Sequence, residues 1–185
     1  LSGYSSSVKA VVFTPNGKTL VAGGWGGKII AWDVESGKIQ KTLTGHTGDV
    51  VGLSFHPSGK LLASSSWDST VRVWDFSLPT ADTKPVVLNE QHKTVGDVTF
   101  SPDGTQLASA SDDGTIVVRQ TGSWKSGETI RGHDGVIRSI AFSPGGRGLV
   151  SGSWDGHLKL WDLTRPQLGT VSYGPKQQYR QLAIR

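Results

Sequence analysis

VVGLSFHPSGKLLASSSWDSTVRVWD, residues 50–75, reads as three short extended runs separated by two tight turns. Val50 to Phe55 alternates toward a β-strand. Pro57-Ser58-Gly59 then turns the chain, with proline fixing φ and glycine accepting positive φ. Leu61 to Ser66 is a second strand, and Trp67-Asp68-Ser69 turns it back. Thr70 to Asp75 is a third, rich in β-branched residues and tryptophan. A linker, Phe76 to Lys84, leads to a fourth run, Pro85 to Leu88. No window carries apolar residues at helical spacing for ten residues, so the 185-residue chain is expected to be all-β.

The same pattern recurs along the chain. Phe13, Phe55, Phe100 and Phe142 each end an apolar run, 42, 45 and 42 residues apart. Each is followed by a turn: TPNG, HPSG, SPDG and SPGG. Trp32-Asp33, Trp74-Asp75 and Trp161-Asp162 keep step, as do Gly45-His46, Gln91-His92 and Gly132-His133 before the apolar runs. Coupled landmarks at a fixed period mark a repeat architecture.

These landmarks resemble the WD40 repeat family, and the resemblance covers nearly the whole chain. It implies a β-propeller, with four-stranded antiparallel blades around a central channel. The expected blades are residues 1–45, 46–90, 91–132 and 133–175. Residues 176–185 align with the first strand of a fifth, Ile184 falling 42 residues after Phe142. All belong to one propeller domain. A ring of four would leave that strand spare, so a partial propeller is expected, either completed by a longer chain or closed as a homodimer.

His46, Ser64 or Ser66, and Asp68 have the composition of a Ser-His-Asp triad. The resemblance assigns them another role, a structural hydrogen-bond network that also includes Trp74. The set recurs as His133, Ser151 or Ser153, Asp155 and Trp161, and a catalytic triad has no reason to recur in every blade. The third unit offers His92, Ser109 or Ser111, and Asp113, but Arg119-Gln120 replaces Trp-Asp. In the first, Tyr4 replaces the histidine and Gly26 the turn aspartate. The first and third blades are therefore expected to be less rigid.

Composition narrows the function. There is no cysteine, which excludes a disulfide framework, a thiol nucleophile and Cys-ligated metal, and fits an intracellular, cytoplasmic setting. No metal or cofactor is expected: His46, His92 and His133 have structural posts, and His56 and His157 are isolated. Gly23 to Gly27 is glycine-rich, but it joins two strands and opens no helix, as a phosphate cradle would require. The sequence shows no membrane span and no leader, and with no methionine even at position 1 it reads as an excised stretch. The net charge of +4 comes from Arg165, Lys176, Arg180 and Arg185. The rest holds 15 basic and 15 acidic residues, which argues against nucleic acid as a partner.

Two arcs are candidates for binding. Trp25, Trp67 and Trp154, with Asp112 in the third unit, stand just before the turn residue between second and third strands. The resemblance places that hairpin on the top face, where exposed tryptophans suit a protein interface. Packing on a neighbouring loop is the alternative. Four residues before each phenylalanine stand Lys9, Val51, Gly96 and Arg138, with Arg180 as the fifth. By the same resemblance these point to the channel top, where the cations suit an acidic or phosphorylated peptide. The alternative is that they neutralise nearby turn aspartates. The function expected is a non-catalytic protein-interaction scaffold. Alternatives are a structural or sensor segment of a larger multidomain protein, and an enzyme built on a propeller.

Overall fold

In a computed structural model, residues 3–4, 6–80, 83–125, 127–164 and 171–173 are described. Among these residues sixteen strands form four antiparallel sheets, each from four consecutive strands. The first holds β1 (Val8–Phe13), β2 (Thr19–Gly24), β3 (Ile29–Asp33) and β4 (Ile39–Leu43). The second holds β5 (Val50–Phe55), β6 (Leu61–Ser66), β7 (Val71–Asp75) and β8 (Val86–Leu88). The third holds β9 (Val95–Phe100), β10 (Gln106–Ser111), β11 (Thr115–Gln120) and β12 (Glu128–Arg131). The fourth holds β13 (Ile137–Phe142), β14 (Gly148–Ser153), β15 (Leu158–Asp162) and β16 (Val171–Tyr173). Residues 176–185, read as the first strand of a fifth blade, lie outside the described residues, and so does Arg180.

The turn chemistry explains the hairpins. Gly17, Gly59, Gly104 and Gly146 have φ of 70 to 74°, and each N–H donates to the carbonyl three residues back. The second hairpin turn is tight as well. In the first sheet it is a single 3-10 turn, Trp25–Gly27, with Gly26 and Gly27 at positive φ.

The first strands pack side by side, β1 on β5, β5 on β9 and β9 on β13, giving an unclosed fan of blades. Apolar residues fill the spaces between neighbouring sheets. Val21, Ile29 and Ala31 of the first meet Val50, Leu62 and Trp74 of the second. Ala63, Val71 and Val73 of the second meet Val95, Phe100 and Leu107 of the third. Ala108, Ile116 and Val118 of the third meet Ile137, Leu149 and Trp161 of the fourth. Burying such side chains stabilises by about 1.5–3 kcal/mol each, so each sheet depends on its neighbour.

Every first strand carries one β-bulge, and always at the same place. Register slips between Val8 and Ala10, Val50 and Gly52, Val95 and Asp97, and Ile137 and Ser139. The extra residues are Lys9, Val51, Gly96 and Arg138. A bulge re-aims a side chain out of the pleat, so the arc read four residues before each phenylalanine is a set of bulge positions.

Candidate functional site

The second and fourth sheets build the same buried chain of polar groups. Trp74 Nε1–H donates to Ser64 Oγ at 2.9 Å, and Ser64 Oγ lies 2.7 Å from His46 Nε2. His46 Nδ1 lies 2.8 Å from Asp68 Oδ2. The carboxylate can only accept, so the imidazole proton sits on Nδ1 and Ser64 O–H donates to Nε2. Trp161, Ser151, His133 and Asp155 repeat this at 2.9, 2.7 and 2.7 Å. Burial pushes the His46 pKa down, only partly opposed by Asp68. Burial works to raise Asp68, but hydrogen bonds from Thr70 and His46 outweigh it and hold the carboxyl below its usual range. Asp155 is likewise lowered against its burial by His133 and the backbone N–H groups of His157 and Asp134. Ser64 is 0% exposed and its oxygen already accepts the indole, so these triads are closed to a substrate.

Of the paired serine candidates, Ser64 and Ser151 enter the network. Ser66, Ser111 and Ser153 instead accept the N–H of Asp68, Asp113 and Asp155, fixing the turns.

The third sheet departs from the sequence reading. His92 is exposed, and Gln91 occupies the histidine's place, Nε2 donating to the Ser109 carbonyl at 3.2 Å. Spacing gives the reason: His46, Gln91 and His133 each stand 18 residues before the network serine, and His92 stands 17. Ser109 Oγ, expected in the network, has no hydrogen-bond partner. Asp113 keeps its turn role, accepting from Thr115 N–H and Oγ1–H at 2.9 and 2.5 Å.

Two further exchanges accompany these. Gly45 and Gly132 precede the histidines at φ of +148 and +158°, and a Cβ there would lie 2.8 Å from Arg72 Nη1 or 2.9 Å from Trp161 Cη2. Arg119 replaces that tryptophan in the third sheet, so Glu90 fits where glycine stood, its carboxylate 2.6 Å from Arg119 Nη2. Trp124, which the sequence reading left unassigned, packs against the core between second and third sheets. In the first sheet Tyr4 fills the histidine's place. Its hydroxyl lies 2.8 and 2.6 Å from the Ala22 and Lys28 carbonyls, and burial pushes its pKa up to about 12.

The tip residues fall at equivalent places. The N–H groups of Trp25, Trp67, Asp112 and Trp154 donate to the carbonyls of Ser7, Asp49, Thr94 and Val136, each just before a first strand. The three tryptophan side chains are 63, 48 and 72% exposed. The bulge cations reach toward them. Lys9 Nζ stands 3.9 Å from the Trp67 ring centre and 3.4 Å from Asp49. The Arg138 guanidinium stands 4.7 Å from the Trp154 ring, and Nη1 is 3.4 Å from Asp112. Both cations are thus paired with carboxylates of an adjoining sheet, a contact that no local spacing reveals.

Asp97 is a half-buried carboxylate beside the bulge of β9. Its Oδ2 accepts the Ile140 N–H at 2.9 Å, tying third sheet to fourth, and burial raises its pKa. Among the described residues no cluster of three or more His, Asp or Glu side chains is arranged to hold a metal.

The profile described as "WD domain, G-beta repeat" matches residues 1–33, 37–75, 83–119 and 124–162. WD repeat-containing protein 1 of Gallus gallus is 38% identical over 82 residues, 41% of this chain and 13% of that protein. Periodic tryptophan protein 2 homolog of Dictyostelium discoideum is 27% identical over 162 residues, 87% of this chain and 18% of that protein. Among solved structures, a chain of the mitotic checkpoint complex superposes with a TM-score of 0.83 at 24% identity. The match covers 92% of this chain and 52% of the other. The structure of U3-55K also gives 0.83, at 20% identity, covering 94% and 54%. The chain therefore spans about half the length of these solved chains, and under a fifth of the two curated relatives.

Proposed function

The chain belongs to the WD40 repeat family, and from that premise we propose that it is a non-catalytic protein-interaction scaffold. Its partner is a protein or peptide that meets the edge carrying the second hairpin turns. Trp25, Trp67 and Trp154 anchor it, with Asp112, Lys9 and Arg138 between them.

One observation carries this reading. Three large aromatic side chains stand at equivalent turns, 48 to 72% exposed, while Trp32, Trp74 and Trp161 are buried in their strands. An exposed tryptophan supplies large contact area with a polar handle, and such residues dominate binding energy at interfaces. The pairing of Lys9 with Asp49 and Arg138 with Asp112 bears on the ligand's charge. An acidic segment has to compete with two resident carboxylates, so aromatic area outweighs charge in the anchoring. No helix among the described residues is long and apolar enough to cross a membrane.

The test is affinity capture with the wild-type chain beside a Trp67→Ala, Trp154→Ala variant, with thermal melts of both. The expected result is loss of the captured partners, by tenfold or more, at an unchanged melting temperature. Equal capture by both proteins overturns the reading. A lowered melt would assign the two tryptophans to packing.

A further inference from the structure

We infer that Asp49 is a positioning residue: it holds Trp25 and Trp67, which stand on neighbouring blades, as one two-ring anchor. The inference rests on the binding surface proposed above and gives the cause that keeps part of it in shape.

The tip turns of the other three blades are fixed from within. The N–H groups of Asp68, Asp113 and Asp155 donate to Oγ of Ser66, Ser111 and Ser153 at 3.1, 3.2 and 3.2 Å. Oδ1 of each aspartate then accepts the N–H two residues on, from Thr70, Thr115 and His157, at 2.9 Å. The first blade has Gly24 and Gly26 at the serine and aspartate positions, so its turn carries neither acceptor. A serine does not fit at Gly24 in any case, since a Cβ there would lie 2.2 Å from the Ser7 carbonyl.

The second blade supplies what is missing. Asp49 Oδ1 accepts the Gly26 N–H across the boundary at 3.2 Å. The loop that carries Asp49 is wedged between the two tips. A Cβ at Gly27 would lie 2.2 Å from the His46 carbonyl, and one at Gly48 would lie 2.7 Å from the Asp68 nitrogen. The loop is thereby held against both. Asp49 also serves Trp67 twice. Its carbonyl accepts the Trp67 N–H at 3.0 Å. Its Oδ2 lies 3.4 Å from Lys9 Nζ, which stands 3.9 Å from the centre of the Trp67 ring. The Asp49 side chain is 16% exposed, so these charge-assisted contacts are made largely out of water, where they are stronger.

The chain contains its own comparison. Ser7, Thr94 and Val136 hold the place of Asp49 at the other blade entrances, their carbonyls accepting from Trp25, Asp112 and Trp154. Of these four residues Asp49 alone carries a carboxylate, and it follows the tip that has no acceptors of its own. An aromatic surface already held in place loses less freedom on binding. Asp49 therefore raises affinity without meeting the partner.

The experiment is fluorine NMR on the chain labelled with fluorotryptophan, its seven signals assigned by replacing each tryptophan with phenylalanine in turn. In Asp49→Ala the Trp25 and Trp67 signals are expected to shift, and that of Trp154 to stay. Amide exchange at Gly26 is expected to quicken by about threefold or more. Asp49→Asn keeps an oxygen for Gly26 but loses the charge that holds Lys9. It is expected to restore the Trp25 signal and to leave that of Trp67 where Lys9→Gln puts it. Three results overturn the proposal: Trp25 and Trp67 signals unchanged in Asp49→Ala, a Trp154 signal displaced as far as theirs, or an Asp49→Asn that matches Asp49→Ala at Trp25. If Asp49→Ala does not fold, Asp49→Asn and Lys9→Gln decide, and a Trp67 signal unmoved in both overturns it. These signals need no partner, so failure of the capture experiment above removes the binding surface and is read separately from the role of Asp49.

Discussion

The second and third blades share a backbone and differ in what holds their centres. In the second, Trp74, Ser64, His46 and Asp68 form a continuous chain in which each buried polar group has a partner. In the third, Gln91, Arg119 and Glu90 occupy the places of His46, Trp74 and Gly45. That arrangement leaves Ser109 Oγ and Arg119 Nη1 buried without hydrogen bonds. The fold tolerates the exchange because three positions changed together. Removing the indole makes room at the glycine, the glutamate that enters neutralises the arginine, and glutamine binds carbonyls that the imidazole does not need.

The largest difference between the blades is expected at their serines. Ser64→Ala leaves both the His46 Nε2 and the Trp74 Nε1 without a partner in a dry interior. An orphaned buried group costs about 1–3 kcal/mol, so a loss of about 2–4 kcal/mol is expected in denaturant unfolding. Ser109→Ala removes a hydroxyl that has no partner, so its expected loss is below about 0.5 kcal/mol. Equal losses would dissolve the distinction between the two centres.

A smaller effect, of about 1–2 kcal/mol, is expected when the second blade receives the third blade's residue, in His46→Gln. Its pH dependence sharpens the comparison. Burial lowers the His46 pKa in the folded state, so on acidification below about 6.5 the unfolded chain takes up a proton that the folded one refuses. The stability that neutral His46 contributes is full above that pH and is lost as pH falls toward the lowered folded value. The wild type should therefore lose more stability than His46→Gln between pH 7 and 5. Parallel pH profiles would show that His46 takes up its proton as readily in the folded chain as in the unfolded one.

The smallest expected effect is a gain. Glu90→Gly, Gln91→His and Arg119→Trp together rebuild the network on the resident Ser109 and Asp113, for about 1 kcal/mol of added stability. Slower amide exchange in β10 and β11 is expected with it. Arg119→Trp alone should destabilise, because its ring meets the Glu90 side chain. A single variant as stable as the triple would remove the coupling argued above.

Much of this was legible in the sequence. β5 and β6 begin and end where the alternation and the Pro-Ser-Gly turn put them, and β7 begins one residue later, at Val71. The second and fourth networks follow from matched landmarks. The third misled because Gln91-His92 imitates the Gly-His pair one residue late, and a count to Ser109 would have corrected it. The bulges were invisible, since one extra residue in six barely disturbs alternation. The partners of Lys9 and Arg138 lie in adjoining blades, beyond any local pattern.

The bulges have a consequence for how such a chain can diversify. A residue in the pleat answers to two faces at once, so exchanging it disturbs either a neighbouring blade or its own strand pairing. The extra residue of a bulge is outside the strand pairing, and the four here are Lys9, Val51, Gly96 and Arg138: a cation, a branched aliphatic, a glycine and another cation. Gly96 is held to its identity by backbone, since a Cβ there would lie 2.8 Å from the Ile137 carbonyl, and Lys9 and Arg138 by the carboxylates and indoles they meet. Exchanging any of the four rewrites contacts along the edge of the fan while the strands beneath keep their register, and Val51 has the fewest such contacts to lose.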